Sequence, residues 1–289
     1  MDKNQRIPDR TKTISSSLAA AKQQLSELSD TPEIDARVLL AHICKKDQSW
    51  LFAHPESHLT GAQVSDYEAS LKKVSGGMPL PYVVGKWEFY GLSFKVTPDV
   101  LIPRPETELL VETALDWLQR HPEKKRVVEA GTGSGCIAIS LAAHNPKLEI
   151  TATDISAAAL QIAMGNAEMH QVSSQIKFQE NDLLSNFPGQ FDLICANLPY
   201  IPTETLQELA VYKREPTLAL DGGADGLDLV RRLLDQGVSR LVEGGLILLE
   251  IEDQQGEDAA LFAGEKFPGA EVTVKSDLAG KPRLLVIAQ

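Results

Sequence analysis

The run Glu129-Ala130-Gly131-Thr132-Gly133-Ser134-Gly135 is the first place in this chain where residue types and spacing point to chemistry. It follows a short apolar stretch and opens one with helical spacing, so it reads as a strand-to-helix turn. Glycines there let the backbone turn sharply and let a ligand approach with no Cβ in the way, and a helix start offers free N–H groups. Asp154 closes the next apolar stretch, at a spacing that suits an acceptor for ribose hydroxyls. Taken without a ligand, the same residues are a tight turn and a surface aspartate. The spacing is GxGxG, not GxGxxG, whereas dinucleotide sites use a third, more distant glycine and seat a pyrophosphate. S-adenosylmethionine has no phosphate but carries an ammonium group that the carboxylate of Glu129 could attract. This cofactor is therefore expected, held by Glu129, Gly131, Thr132, Gly133, Ser134, Gly135 and Asp154. Further on, Asp182 could accept from the adenine amino group and Leu183 could pack on its face. Asp182 alone is equally well read as a helix cap or turn residue.

Asn197-Leu198-Pro199-Tyr200 follows the apolar run Phe191–Ala196, at the carboxyl edge where open α/β sheets bind ligands. It resembles the [Asn/Asp]-Pro-Pro-[Tyr/Phe] signature of methyltransferases that act on nitrogens conjugated to a π system. Such a nitrogen is a poor nucleophile because its lone pair is delocalised. The task is to hold its NH2 between two acceptors so that residual lone-pair density faces the methyl group. Asn197 Oδ1 and the Leu198 carbonyl can supply those acceptors, with Pro199 and Tyr200 stacking on the planar group. Alignment of this kind lowers a barrier with no titratable side chain. Asn197 is also expected to approach the cofactor. Leu198 departs from the usual proline; it keeps the carbonyl and should leave the loop less rigid. Read bare, Asn-x-Pro is a strand-to-turn sequence with no chemistry.

These residues must be held by a scaffold, and the chain shows two styles of sequence. From about Ser15 to Gly77 it reads as helices: Ser17–Leu28, a helix begun by Thr31 as N-cap and Pro32, and one over Gly61–Val74 stopped at Gly76-Gly77. Pro79 to Phe94, rich in proline, glycine and aromatics, reads as a β-hairpin linker. Beyond Val96, strands at Arg126–Ala130, Glu149–Thr153, Ile176–Glu180, Phe191–Ala196, Leu246–Ile251, Glu271–Lys275 and Arg283–Ala288 alternate with helices, notably Glu106–Gln119, Cys136–Ala143, Ala157–His170 and Leu227–Val242. That alternation predicts an α/β fold with a doubly wound, mostly parallel seven-stranded sheet. The Ser276–Pro282 connection is too short for a crossover, so the last pair should be antiparallel, as in class I methyltransferases. The division expected is a helical domain over 1–78, a hairpin linker over 79–95 and the methyltransferase domain over 96–289.

The bulk composition narrows the function classes. The net charge is −12, which argues against binding nucleic acid by phosphate neutralisation. Cys44, Cys136 and Cys195 are odd in number and far apart, so neither a disulfide framework nor a zinc site is expected, and a reducing cytoplasm fits. The polar start, Met1–Arg10, has no apolar targeting core, and no apolar run is long enough to span a bilayer. No metal is expected: His54 and His58 flank Pro55, and Asp221, Asp225 and Asp228 lack calcium-loop spacing.

Which nitrogen is methylated is read from a wider resemblance. Val100-Leu101-Ile102-Pro103-Arg104-Pro105-Glu106-Thr107-Glu108-Leu109-Leu110-Val111-Glu112 looks like the hallmark of the release-factor glutamine methyltransferases of the HemK/PrmC type. Further matches are Pro81-Tyr82 with Gly85, Glu215-Pro216, Asp221 to Leu227, Glu250-Ile251-Glu252 with Gln255-Gly256, and Asp277 to Arg283. By themselves, Glu106 and Glu108 are acids in a first helical turn; Arg104 would pair with a carboxylate or carbonyl near the site. The resemblance implies a substrate Gly-Gly-Gln loop whose glutamine enters over Asn197–Tyr200 with Arg104 beside it, and a helical N-terminal domain that binds the body of the release factor. A monomer that contacts neither nucleic acid nor membrane is expected. The competing readings are a ribosomal-protein glutamine methyltransferase, a nucleic-acid amino-methyltransferase, a Rossmann oxidoreductase and an inactive adaptor. The first typically lacks the Arg-Pro-Glu-Thr-Glu run, and the second lacks a basic recognition segment here. The oxidoreductase has no use for Asn197–Tyr200, and only Leu198 hints at the adaptor.

Overall fold

Capping chemistry sets where the N-terminal helices begin. The computed structural model describes residues 12–289; the polar Met1–Arg10 segment lies outside the described residues. Two compact units meet at Val84 and Gly85. In the first, α1 (Ile14–Leu25) starts from a reciprocal box between Thr13 and Ser16, and α4 (Gly61–Ser75) from the same device between Thr60 and Gln63. Pro32 opens α2 (Pro32–Cys44) as expected, but the Thr31 side chain makes no capping bond; its hydroxyl donates to Asp35 Oδ1 at 3.3 Å. A short α3 (Gln48–Ala53) is capped by Asp47. One expectation needs correction: the stretch after Pro79 does not begin the hairpin but forms α5 (Leu80–Val84). Ile14, Leu25, Leu39, Leu40, Leu51 and Leu71 bury one shared core, and the buried Tyr67 hydroxyl donates to the Ala36 carbonyl at 2.9 Å.

The second unit starts with the antiparallel pair β1 (Lys86–Phe89) and β2 (Leu92–Lys95). It continues through α6 (Glu108–Arg120), β3 (Arg126–Ala130), α7 (Cys136–His144), β4 (Glu149–Asp154), α8 (Ala157–Met169), β5 (Ile176–Glu180), β6 (Phe191–Ala196) and a short α9 (Thr203–Leu206). It ends with α10 (Asp228–Gly237), β7 (Leu241–Glu250), α11 (Gly256–Lys266), β8 (Glu271–Ser276) and β9 (Pro282–Ala288). The seven-stranded sheet has the order β5-β4-β3-β6-β7-β9-β8. It is parallel except for β9, which runs antiparallel to both β7 and β8. The expected terminal hairpin is thus present.

The central strands are apolar without alternation because both faces are covered. Leu193 and Cys195 of β6 face the cluster built with α6 and α7, while Ile194 and Ala196 face the cluster built with α10 and α11. The sequence reading carried α10 on to Val242. In fact Leu241 already pairs with Phe191, and the next matched pair is Leu193 with Leu246. Residues 242–245, including Gly244 at φ +66°, therefore form an irregular bulge in a strand that starts five residues earlier than expected.

Strand order decides where a ligand can sit. From β3 the chain moves outward through β4 to β5, then returns to β6 on the other side of β3 and moves outward the opposite way. Between the carboxyl ends of β3 and β6 the two crossovers part, leaving the crevice in which open α/β sheets bind ligands. Glu129 pairs in register with Cys195, so the glycine turn and Asn197 leave the sheet side by side.

Candidate active site

A cavity of about 450 Å³ occupies that crevice, lined by the glycine turn, the ends of β4 and β6, the Asn181–Leu183 loop and the segment around Arg104. Gly131, Gly133 and Gly135 all have positive φ, which L side chains adopt at a cost. They differ in purpose. A Cβ on Gly131 would stand 3.1 Å from Leu198 Cδ2, so this glycine admits the loop after β6. A Cβ on Gly135 would stand 2.8 Å from Ile139 Cδ1 and 3.1 Å from Ala163 Cβ. Gly135 therefore lets α7 pack on α8 and is not part of the cavity wall. Thr132 and Ser134 both line the cavity.

Two carboxylates hold the turn. Glu129 is buried, and its Oε2 accepts from the Thr132 hydroxyl at 2.6 Å and from Ala138 N–H at 3.0 Å. Burial pushes its pKa up to about 8, against the pull of those two hydrogen bonds. Asp154 accepts from Gly133 N–H and Ser156 N–H, each at 2.8 Å, and burial raises its pKa too. Asp154 thus braces the turn while still facing the cavity. Asp182 also lines the cavity but pairs with Arg232 at 2.5 Å. Leu183 is buried at φ +52°, its carbonyl accepting from the Thr153 hydroxyl and the Asn181 amide.

Asn197, Leu198 and Pro199 form the opposite wall. Asn197 Nδ2 donates to Thr107 Oγ1 at 2.9 Å. Thr107 stands at the N-cap position of α6, yet its side chain makes no capping bond; it serves the loop across the cavity instead. Tyr200, expected to stack on a substrate, stands outside the lining. It is largely buried, and its hydroxyl points at Glu250 Oε1, 3.4 Å away. Arg104 lines the cavity and pairs with the buried Glu215 at 2.5 Å, and Glu215 also accepts from Ile102 N–H at 3.2 Å.

Several braces were not assigned roles from the sequence. Gln255 Nε2 donates to the Tyr200 carbonyl at 2.9 Å and to the Asp225 carbonyl at 3.2 Å. Gly222 passes so close that a Cβ would lie 2.7 Å from Tyr200 Cα, and one on Gly226 would lie 2.1 Å from the Tyr200 oxygen. The Asp221–Leu227 and Glu250–Gly256 stretches are thus the walls that clamp Tyr200. Thr107 carried a signal of its own: a threonine at a helix start flanked by acids invites a capping reading, and the missing cap bond exposes its other task.

Comparison with known proteins agrees with this layout. The PrmC N-terminal domain model matches residues 16–85, and the methyltransferase small domain model matches residues 105–213. A release factor glutamine methyltransferase from Coxiella burnetii is 40% identical over 97% of this chain and 98% of its own length. The chain belongs to the release factor glutamine methyltransferase family. A second member, from Moorella thermoacetica, is 40% identical over 88% of this chain and 90% of its own. Among solved structures, a methyltransferase from Pyrococcus furiosus shares the fold, with a TM-score of 0.51 at 17% identity over 78% of this chain and 98% of that one. The stretches that clamp Tyr200 lie outside the small-domain match, whereas Thr107, which holds Asn197, lies inside it.

Proposed function

We infer that this chain is an enzyme that transfers a methyl group from S-adenosylmethionine to the side-chain amide of a glutamine in peptide chain release factors, the one in their Gly-Gly-Gln motif. The observation that carries the site assignment is the Asn197–Thr107 hydrogen bond. With Nδ2 spent on Thr107, Asn197 Oδ1 is the end of the side chain left to accept from a substrate NH2.

The cavity's chemistry suits the cofactor. Its two basic residues, Arg104 and Arg232, are each paired to a carboxylate, whereas Asp99, Glu129, Asp154 and Asp182 also line it. A pyrophosphate would find no free cation among the described lining residues, while a cationic ligand finds acids. Bound there, S-adenosylmethionine supplies an electrophilic methyl group. Asp154 would receive the ribose hydroxyls, Glu129 would lose its proton as the cationic ligand binds and then pair with the ammonium group, and Leu183 would cover the adenine, with Asp182 at its edge. Asn197 Oδ1 and the Leu198 carbonyl would hold the glutamine NH2 in line, with Pro199 against its plane. No base is needed before transfer, because the nitrogen becomes acidic only as it is alkylated.

The helical unit ending at Val84 is proposed to recognise the body of the release factor. The chain is proposed to act as a cytoplasmic monomer. No described helix is long and apolar enough to cross a membrane. Incubating the protein with labelled cofactor and purified release factor, then mapping the label, tests the reading; label in nucleic acid or ribosomal protein alone would replace it. Deleting residues 1–84 should leave cofactor affinity intact while lowering kcat/KM for intact release factor by about tenfold or more, if that unit supplies roughly 1.4 kcal/mol of binding. Equal turnover by the shortened protein would remove the recognition role.

A further inference from the structure

Asn166, on α8, is a fully buried amide that the chemistry above does not use. A buried side-chain amide costs stability unless its polar atoms find partners, and this one finds three. Its Oδ1 accepts from Lys95 N–H at 2.8 Å. Its Nδ2 donates to the Lys95 carbonyl at 3.1 Å and to the Ser134 carbonyl at 2.8 Å. The oxygen and both amide protons are therefore committed.

Both segments that Asn166 touches lead into the cavity wall. Ser134 lines the cavity itself, and it stands between Gly133 and Gly135, both at positive φ. Glycines carry the most backbone freedom, so the peptide joining Ser134 to Gly135 needs anchors to keep its plane. It has one at each end: the Ser134 carbonyl accepts from Asn166, and Gly135 N–H donates to the Thr132 carbonyl at 2.8 Å. Lys95 closes β2, and just beyond it Pro98, Asp99, Val100, Leu101, Pro103 and Arg104 line the same cavity. One helical turn along α8, His170 Nε2 donates to the Ser93 carbonyl at 2.7 Å, a second anchor on the same hairpin.

We propose that Asn166 is a positioning residue for cofactor binding, setting the spacing between the glycine turn and the Pro98–Arg104 segment. A cofactor seated on the turn holds the Ser134 peptide still, and through the amide it holds the end of β2. By reciprocity, freeing the end of β2 from the turn costs cofactor affinity. His170 grips the hairpin but not the turn, so its loss should not carry that cost.

The proposal rests on the cofactor lying against the glycine turn, and the measurements let the two fail separately. S-adenosylmethionine affinity is measured by calorimetry on the full chain. Asn166→Ala should weaken it by about tenfold, the order expected when buried carbonyls lose their donor. The single-turnover rate at saturating cofactor should fall much less than the affinity, whereas a general packing role would lower both alike. His170→Ala should leave the affinity within about twofold, a shift well under 1.4 kcal/mol. Native-state hydrogen exchange on the wild type needs no variant, and it decides alone if Asn166→Ala does not fold. Saturating cofactor should slow exchange at the Lys95 amide by more than at the amides of β8, which lies at one edge of the sheet and reports the global stabilisation any ligand brings. Unchanged affinity in Asn166→Ala, an equal loss in His170→Ala, or Lys95 protection no greater than that of β8 overturns the proposal. If Asp154→Ala weakens binding and Asn166→Ala does not, only the role of Asn166 falls. If neither weakens it, the cofactor lies elsewhere and the site reading falls as well.

Discussion

The two walls of the cavity are built by opposite means. On the cofactor side, the turn after β3 is held by residues near it in the chain: Glu129 accepts from Thr132 and Ala138, and Asp154 from Gly133 and Ser156. On the acceptor side, the loop after β6 is held by residues from distant segments: Asn197 by Thr107, and Tyr200 by Glu250 and Gln255. The first wall is a motif that carries its own support. The second exists only once the sheet has brought α6, β7 and the segment before α11 around it. A site that tolerates one family of cofactors but must choose one amide is reasonably divided in this way, since precision is demanded of the acceptor wall.

The largest effect should come from the acceptor wall. Asn197→Ala removes the only side-chain acceptor in the proposed clamp and should slow single-turnover transfer by roughly 10² or more, because near-attack alignment is lost. Asn197→Asp keeps an oxygen at the same reach and should retain more activity than alanine. An alanine enzyme at near wild-type rate would break the contrast between the walls and the amide-clamp mechanism with it.

The cofactor wall should answer in affinity instead. Asp154→Ala removes a charged acceptor facing the cavity, and with it the brace on Gly133. S-adenosylmethionine binding should weaken by about 1.5–3 kcal/mol, read by calorimetry, with the rate at saturating cofactor much less affected. An unchanged affinity would remove Asp154 from the cofactor site.

Legibility in the sequence follows the same division. The glycine turn, Asp154 and Asn197–Tyr200 could be found because each is a short string after a strand, and strand ends of an alternating chain are where ligands bind. The sheet, its terminal hairpin and the helical start were legible from periodicity. Thr107, Gln255 and Glu250 were not, because nothing in a linear spacing says that residues 90, 55 and 50 positions from their partners will touch. In the sequence they stand within family-like stretches, with no spacing of their own that points to a role. Gly135 was misplaced for a related reason: its string belongs to the cofactor turn, but the neighbour that excludes a side chain is Ala163, a helix away. The overlong α10 failed because Val242-Glu243-Gly244-Gly245 carries no strand alternation; pairing of Leu241 with Phe191 imposes the strand.

A remote brace should give a smaller effect than either wall. Gln255→Ala frees the carbonyls of Tyr200 and Asp225 from a buried donor and should cost about 1–3 kcal/mol of stability, measured by chemical denaturation. The transfer rate should fall as the loop loosens, while cofactor affinity holds. A loss of cofactor affinity equal to the loss of rate would show that the two walls are one mechanical body.

Leu198 gives the smallest expected effect and the most direct test of what the loop contributes. Its proposed role uses only the backbone carbonyl, which Leu198→Pro preserves. Among the described bonds its N–H donates to nothing, so proline's missing donor costs no hydrogen bond. What the side chain does is pack: it is buried, and its Cδ2 lies where Gly131 leaves room. Proline fills less of that space but restricts the backbone beside Asn197, and the two changes oppose each other in stability. The net destabilisation should stay below the roughly 2–5 kcal/mol of a leucine-to-alanine core exchange, because proline keeps part of the volume. The single-turnover rate should remain within a few-fold of the wild type. A fall of 10² or more would mean that the leucine side chain, pressed against the glycine turn, transmits geometry between the two walls. The acceptor wall would then be supported by the cofactor wall as well as by its distant braces.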